Sequence, residues 1–419
     1  MMSSISPLPS TPEETVLLTC MRFYFRTTTT CEVTSLLTPY LNWETLVQTA
    51  IDHSVMPLFY QSLKAIEGEL IPQSVMVQLQ TLNRMNGLNN IAQTKELLKI
   101  LALLESRGIE AIAFKGPILA TSVYGNVALR QFNDLDILVP LQDFWQTKAV
   151  LVGQGYQSPT SKEIEIDKFN HHLQIPLSYK DPETTMFNQR FQSSLLHSNP
   201  ERSIDLHWGI PPRRILNPDR LKRLWENLSQ IDLMGKQIKT FSPELTLVIQ
   251  CLNVAKDSHW NVSFKQVCDV AQVIQAYPNL NWHLAWQISS ELCSQRLFLI
   301  GLGISHDLLH IPLPQFVLEK CARSKLIDWQ ILGGNFMNLP NYQKYWLLWV
   351  IPLKTLNWSW YSLLIIVRYL QFTISPNQKD REFLHLPNGL FFIYYVIRPI
   401  RLLIKFLPFR ISPLRQNNS

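Results

Sequence analysis

Residues 110–140 read EAIAFKGPILATSVYGNVALRQFNDLDILVP, and residues 203–208 read SIDLHW. These two stretches decide the fold class. Glu110 to Phe114 is a short apolar run of strand type, and Gly116-Pro117 opens a helix to about Tyr124. Leu135 to Val139 forms a second strand, closed by Pro140. A helix follows from about Leu141 to Val152, then a strand around His172 to Leu177 and another over Ser203 to Trp208, stopped by Pro211-Pro212. Short strands alternating with short helices define a small α+β unit with a mixed sheet, placed at residues 108–212.

Within that unit the polar residues are patterned. Side chains two apart in a strand share a face, so Asp134 and Asp136 aim two carboxylates at one spot. Hard oxygen donors in this arrangement suit Mg²⁺ or Mn²⁺, which Mg²⁺ typifies by taking one or two carboxylates together with substrate phosphates. Asp205, between Ile204 and Leu206, adds a third carboxylate if its strand pairs beside the first. Such a set holds one or two metals that clamp the attacking and leaving oxygens of an in-line displacement at phosphorus. Gly116 permits close backbone approach to a phosphate, and Pro117 suits the first helical position, where free N–H groups attract an anion. Lys115 and Arg130 are read as neutralising triphosphate charge, Arg130 in bidentate fashion. His207 is read as facing away from the metal side and packing among the neighbours of Trp208. A lone Asp-x-Asp is common on solvated strand ends. The order strand, glycine, helix, arginine, Asp-x-Asp strand and apolar-Asp-apolar strand gives the reading its weight.

Phe114-Lys115-Gly116, Tyr124, Leu129-Arg130, Asp134 to Val139 and Ile204-Asp205-Leu206-His207-Trp208 together resemble the uncharacterised bacterial nucleotidyltransferase family of the polymerase-β-like superfamily. The likeness is strongest from Gly108 to Trp208 and reaches weakly to Leu58-Phe59-Tyr60, Cys268-Asp269-Val270-Ala271 and Tyr394 to Pro399. The resemblance implies Asp134 and Asp136 as metal ligands, Asp205 as the carboxylate that positions or deprotonates the acceptor, and Gly116 beneath the nucleotide phosphates.

Outward from this core the periodicity is helical. Residues 34–107 read as a helical subdomain ending at a Gly108 cap, and 213–343 as a second one. Residues 1–33, rich in Ser, Thr and Pro, read as a loose arm. Residues 344–419 are the most apolar and aromatic part and carry ten Lys and Arg against two acids. The basic balance belongs to this segment, so nucleic acid is not an expected partner. Arg398, Arg401 and Lys405 form one basic helix face beside Leu402, Leu403, Phe406 and Leu407, a pattern suited to peripheral contact with an anionic membrane or to docking on the protein's own body. The uncharged runs there are too short to span a bilayer; Lys354 and Arg368 bracket 13 residues.

Composition excludes other classes. With 46% hydrophobic and 17% charged residues the chain is not disordered. It carries no GxGxxG, GxxxxGK or GxSxG string, and its six cysteines include no CxxC pair. The cysteine pattern makes a reducing cytoplasm the expected setting, the two acids ahead of any apolar run in the first 30 residues predict no secretory signal, and the basic tail predicts contact at the inner membrane face. Ser305-His306-Asp307 spells a triad only in sequence, since adjacent residues on a helix point to different sides. Three classes of function follow: a nucleotidyltransferase moving a nucleoside monophosphate from an NTP, by default ATP, to an acceptor; a non-catalytic nucleotide- or partner-binding module of the same fold; and a membrane-surface accessory protein.

Overall fold

The computed structural model describes residues 11–66, 70–157, 192–197, 203–210, 218–257, 263–323, 393–395 and 397–398. The chain divides into two units, Met1–Met337 and Asn338–Ser419. In the first, α1 (Pro12–Tyr24), α2 (Thr30–Leu36), α3 (Trp43–Asp52), α4 (Met56–Lys64) and α5 (Gln73–Glu105) precede β1 (Ile112–Ala113), α6 (Pro117–Ser122), β2 (Asp134–Leu138), α7 (Phe144–Gly153), β3 (Tyr156–Gln157), β4 (Gln192–His197) and β5 (Ser203–His207). Then come α8 (Pro218–Glu226), β6 (Leu228–Leu233), β7 (Lys236–Phe241), α9 (Pro243–Asp257), α10 (Phe264–Ala276), α11 (Trp282–Glu291), α12 (Gln295–Leu309) and α13 (Gln315–Arg323). In the second unit the described residues are a short helical stretch at Ile393–Tyr395 and Ile397–Arg398. The basic face through Arg401 and Lys405 and the expected strand at His172 to Leu177 lie outside the described residues. Among the described residues no helix is long and apolar enough to cross a membrane.

The expected α+β core is present as a five-stranded sheet in the order β1-β2-β5-β4-β3. Only β2 and β5 run parallel; the other neighbours are antiparallel, which makes the sheet mixed. Alternation along β2 and β5 separates its faces. Leu135, Ile137, Val139, Ile204, Leu206 and Trp208 enter one apolar cluster with Leu97, Leu98 and Leu104 of α5 and with Phe144 and Leu151 of α7. Leu138 joins the other, larger cluster, which gathers the surrounding helices. At 33 residues α5 is about 50 Å long by the 1.5 Å rise per residue. Its first half feeds the larger cluster through Val75 and Leu79, and its second half underlies the sheet.

Two regions differ from the sequence reading. The arm assigned to residues 1–33 contains α1, whose Val16, Leu17, Leu18, Cys20 and Met21 are buried in the larger core. The cause is local: Thr11 caps the helix by accepting from Glu14 N at 3.2 Å, Pro12 occupies the first turn, and Glu13 and Glu14 complement the dipole. The stretch read as wholly helical after Pro212 opens a β-hairpin, β6–β7. Its two turn residues, Met234 (φ 54°) and Gly235 (φ 81°), both adopt the left-handed conformation that a two-residue hairpin of this hand requires. Asp232 Oδ1 secures the turn by accepting from Gly235 N at 3.0 Å. The hairpin abuts β1, where Thr240 Oγ1 donates to the Ala113 carbonyl at 2.8 Å. All six cysteines are free.

Candidate active site

The polar face of β2 and β5 carries the site. In the parallel register Asp136 pairs with Asp205, so the two carboxylates stand side by side on adjacent strands, about 4.8 Å apart at the backbone. Asp134 lies two residues earlier on the same face. The three carboxylates therefore share one side of the sheet: alternation predicted this for Asp134 and Asp136, and the pairing of β5 beside β2 adds Asp205.

The loop that delivers β2 is held by a row of amides on α5. Asn86 Nδ2 donates to the Ala128 carbonyl at 2.9 Å, and Asn90 Nδ2 to the carbonyls of Val127 at 2.6 Å and Arg130 at 2.7 Å. Spaced four apart, these two residues occupy one helix face. They satisfy the backbone carbonyls of an irregular segment that is close to the core. Gly116 caps the short α6 in a backbone conformation of φ 46°, ψ −120°, open in practice to glycine alone. A Cβ there would stand 3.2 Å from the Asp134 carbonyl oxygen, so Gly116 also lets the start of α6 lie against the start of β2.

Asp136 is buried and accepts two hydrogen bonds on Oδ1, from Lys115 Nζ at 3.0 Å and from His207 Nε2 at 2.9 Å. Burial pushes its carboxyl up, but Lys115 and the His207 hydrogen bond outweigh this and hold it well below the usual carboxylate range. Lys115 is half-buried; burial pulls its ammonium down, and the opposing charge of Asp136 lifts it above its ordinary value. Asp134 is shifted up, by burial first and then by the charge of Asp136. Asp205, half-buried, accepts from Ser194 Oγ at 2.6 Å.

His207 corrects the expectation placed on it. It lies two residues after Asp205, so strand alternation puts both on one face, and its ring faces Asp136 rather than away. An ionised Asp136 is acceptor only, which assigns the proton to Nε2. The buried Nδ1 has no hydrogen-bond partner among the described residues.

Arg130 is also redirected. Instead of presenting its guanidinium to a phosphate, it is buried and bonded twice to Asp269 of α10, Nε to Oδ1 and Nη2 to Oδ2, each at 2.8 Å. The Tyr124 hydroxyl donates to the same Oδ1 at 2.8 Å. Burial and the Asp269 charge push the Tyr124 phenol well above its ordinary value. Arg130 thus ties the sheet to the helical region. The sequence reading placed Asp269 only within the weak family likeness and gave it no role, although a single carboxylate in the apolar run Val267 to Ala271 was its signal, because a buried anion demands a cation. Lys265, one turn earlier on α10, was missed as well. With Ser54, Asn86, Gln131, Phe132, Asn133, Asp134 and Ser203 it lines a cleft of ≈ 340 Å³ beside the carboxylates.

Ser305 is buried within α12, and His306 Nδ1 donates to the Ile311 carbonyl at 2.7 Å, a helix-end contact that agrees with reading Ser305-His306-Asp307 as structural.

Asp136, Asp205 and His207 each offer a ligand atom, all within 4.8 Å of one another, and together they could hold a metal ion. Two carboxylates and an imidazole suit a divalent cation. Because Asp136 Oδ1 is engaged by Lys115 and His207, the imidazole fits best as the group that orients the carboxylate.

A helix-flanked mixed sheet with paired acids on adjacent parallel strands defines an α+β, nucleotidyltransferase-like core. Residues 39–310 match the model of a family described as uncharacterised nucleotidyltransferases, well over half of the 419-residue chain. The protein belongs to that family, whose substrates include a nucleotide. No curated protein and no solved structure matches the chain.

Proposed function

We propose that the protein transfers a nucleoside monophosphate from an NTP, by default ATP, to an acceptor hydroxyl or phosphate. The observation that carries this reading is the Asp136–Asp205 register on the polar sheet face, in a chain of a nucleotidyltransferase family. An acceptor oxygen attacks the α-phosphorus, a new P–O bond forms, the bond to the β-bridging oxygen breaks, and pyrophosphate leaves. Asp205 orients the acceptor and takes its proton on a carboxylate oxygen. Asp134, Asp136 and Asp205 are the residues that would hold Mg²⁺ or Mn²⁺, which when bound neutralises charge on the phosphates and the departing oxygen. Lys115 holds Asp136 ionised until substrate arrives and then faces the phosphates, while Gly116 keeps the backbone low enough to admit them. Arg130 acts at one remove, by fixing the loop ahead of Asp134. The reaction is set in the cytoplasm, with the basic tail from Arg398 onward as a peripheral contact to anionic lipid.

Purified full-length protein is incubated with each labelled NTP, Mg²⁺ or Mn²⁺ and host lysate. The expected result is a labelled product that disappears in Asp136→Asn. Nucleotide binding without turnover under every condition would replace the enzyme by a binding module of the same fold. Co-sedimentation with anionic vesicles at low and high salt tests the tail separately.

A further inference from the structure

Lys265 occupies an electrostatically unfavourable position. It sits in the first turn of α10, where the helix dipole is positive. Its ammonium is half-buried, with no carboxylate within 4.0 Å among the described residues. Burial, and then the nearby Arg130, push its pKa down to about 8. The other two cations of the region are engaged, Lys115 by Asp136 and Arg130 by Asp269. Yet the backbone around Lys265 is fixed. Its N–H donates to the His53 carbonyl at 3.2 Å, Ser263 Oγ donates to the same carbonyl at 2.9 Å, and the His53 ring stacks on Phe264 with centroids 4.6 Å apart. One turn on, Asp269 is locked by Arg130, so both ends of the first turns of α10 are anchored and Lys265 is committed to the cleft wall. Around it the cleft is built mainly of amides and hydroxyls, together with Asp134 and Phe132. The Gln131 amide is oriented by its own contact: Met56 N donates to Oε1 at 3.1 Å, which leaves Nε2 as the group available to donate. A cation with neutral donors around it in a polar cleft is what an oxyanion requires.

We infer that the cleft beside Asp134 is a phosphate-binding site in which Lys265 is the charged contact and Gln131 and Asn86 are neutral ones. The inference rests on the nucleotidyltransferase reading and deepens it, since the bound group is either the polyphosphate of the nucleotide or a phosphate of the acceptor. The cleft itself, and the absence of an ion-pair partner for Lys265 among the described residues, are features of the chain independent of turnover.

The test is calorimetric titration of the full-length protein in Mg²⁺ with two probes, inorganic tripolyphosphate and a sugar 1-phosphate, for wild type, Lys265→Met, Lys265→Arg and Asp134→Asn. Lys265→Met is expected to lose tenfold or more in affinity for one probe, Lys265→Arg to recover part of it, and the Lys265→Met protein to melt at or above the wild-type temperature because it removes an opposed charge. Dependence confined to tripolyphosphate identifies the nucleotide as the source, and dependence confined to the sugar phosphate identifies the acceptor. Equal affinities in wild type and Lys265→Met, or no binding of either probe to wild type, would overturn the inference. Should transfer activity be absent while Lys265-dependent phosphate binding persists, the nucleotidyltransferase reading fails and the phosphate site stands.

Discussion

Replacing Asp269 with alanine removes the acceptor shared by Arg130 Nε, Arg130 Nη2 and the Tyr124 hydroxyl, each 2.8 Å away. The side chains of the ion pair are 4% and 2% exposed, so water cannot replace the lost partner. Deleting one member of a buried pair typically costs about 3–5 kcal/mol, because the remaining charge is left in a poor solvent. With a urea m-value of about 3 kcal/mol/M this moves the unfolding midpoint down by more than about 1 M. Tyr124→Phe, which deletes one hydrogen bond to a charged group, is expected to cost about 1.5 kcal/mol. Arg130→Met alone strands the Asp269 anion and falls in the same range as Asp269→Ala. In Arg130→Met combined with Asp269→Ala both charges are gone, so the loss is far smaller than the sum of the single losses. Urea unfolding of wild type, Arg130→Met, Asp269→Ala and the double variant, compared at matched m-values, supplies the cycle. Additivity of the Arg130 and Asp269 effects within about 0.5 kcal/mol would refute the reasoning, since it would mean that the two side chains do not interact.

Gly116→Ala forces a side chain into a conformation of φ 46° with its Cβ 3.2 Å from the Asp134 carbonyl. A loss of about 1–3 kcal/mol is expected from the backbone alone, visible as a lower melting temperature, and an unchanged melt would contradict the geometry. Asp136→Asn keeps the shape but removes the charge that binds Lys115, so affinity for Mg·NTP should fall at least tenfold; Lys115→Met in the same chain should restore stability without restoring that affinity. The pH dependence follows from the depressed Asp136 carboxyl: its contribution is fully present above the unfolded carboxylate value of about 3.9 and is lost as pH falls below it toward the folded value. The stability gap between wild type and Asp136→Asn is therefore expected to be constant from about pH 7 to 5 and to narrow below about pH 4. A gap that closes already near pH 6 would contradict the assigned pairing.

What the sequence determined by itself was local. Period two along Asp134 to Val139 and along Ser203 to Trp208 separates an apolar from an acidic face, because consecutive strand residues point in opposite directions whatever they pack against. The same rule, applied consistently, places His207 with Asp205. Gly116-Pro117 marks a helix start for equally local reasons, and Thr11-Pro12-Glu13-Glu14 does the same for α1. Tertiary structure decided the partners. Period two alone left open which strand lies beside Asp136; the parallel pairing of β2 with β5 sets Asp205 there and makes two carboxylates into one site. Nor does a local pattern tell a guanidinium whether a phosphate or a carboxylate will neutralise it. Arg130 is matched to Asp269, 139 residues further along, because packing α10 against the segment ahead of β2 excludes water from both and leaves each, with Tyr124, to satisfy the other. The same packing carries Lys265 to the cleft without an ion-pair partner among the described residues, which is why the cation that sequence order assigned to phosphate and the cation that the fold leaves facing the cleft are different residues.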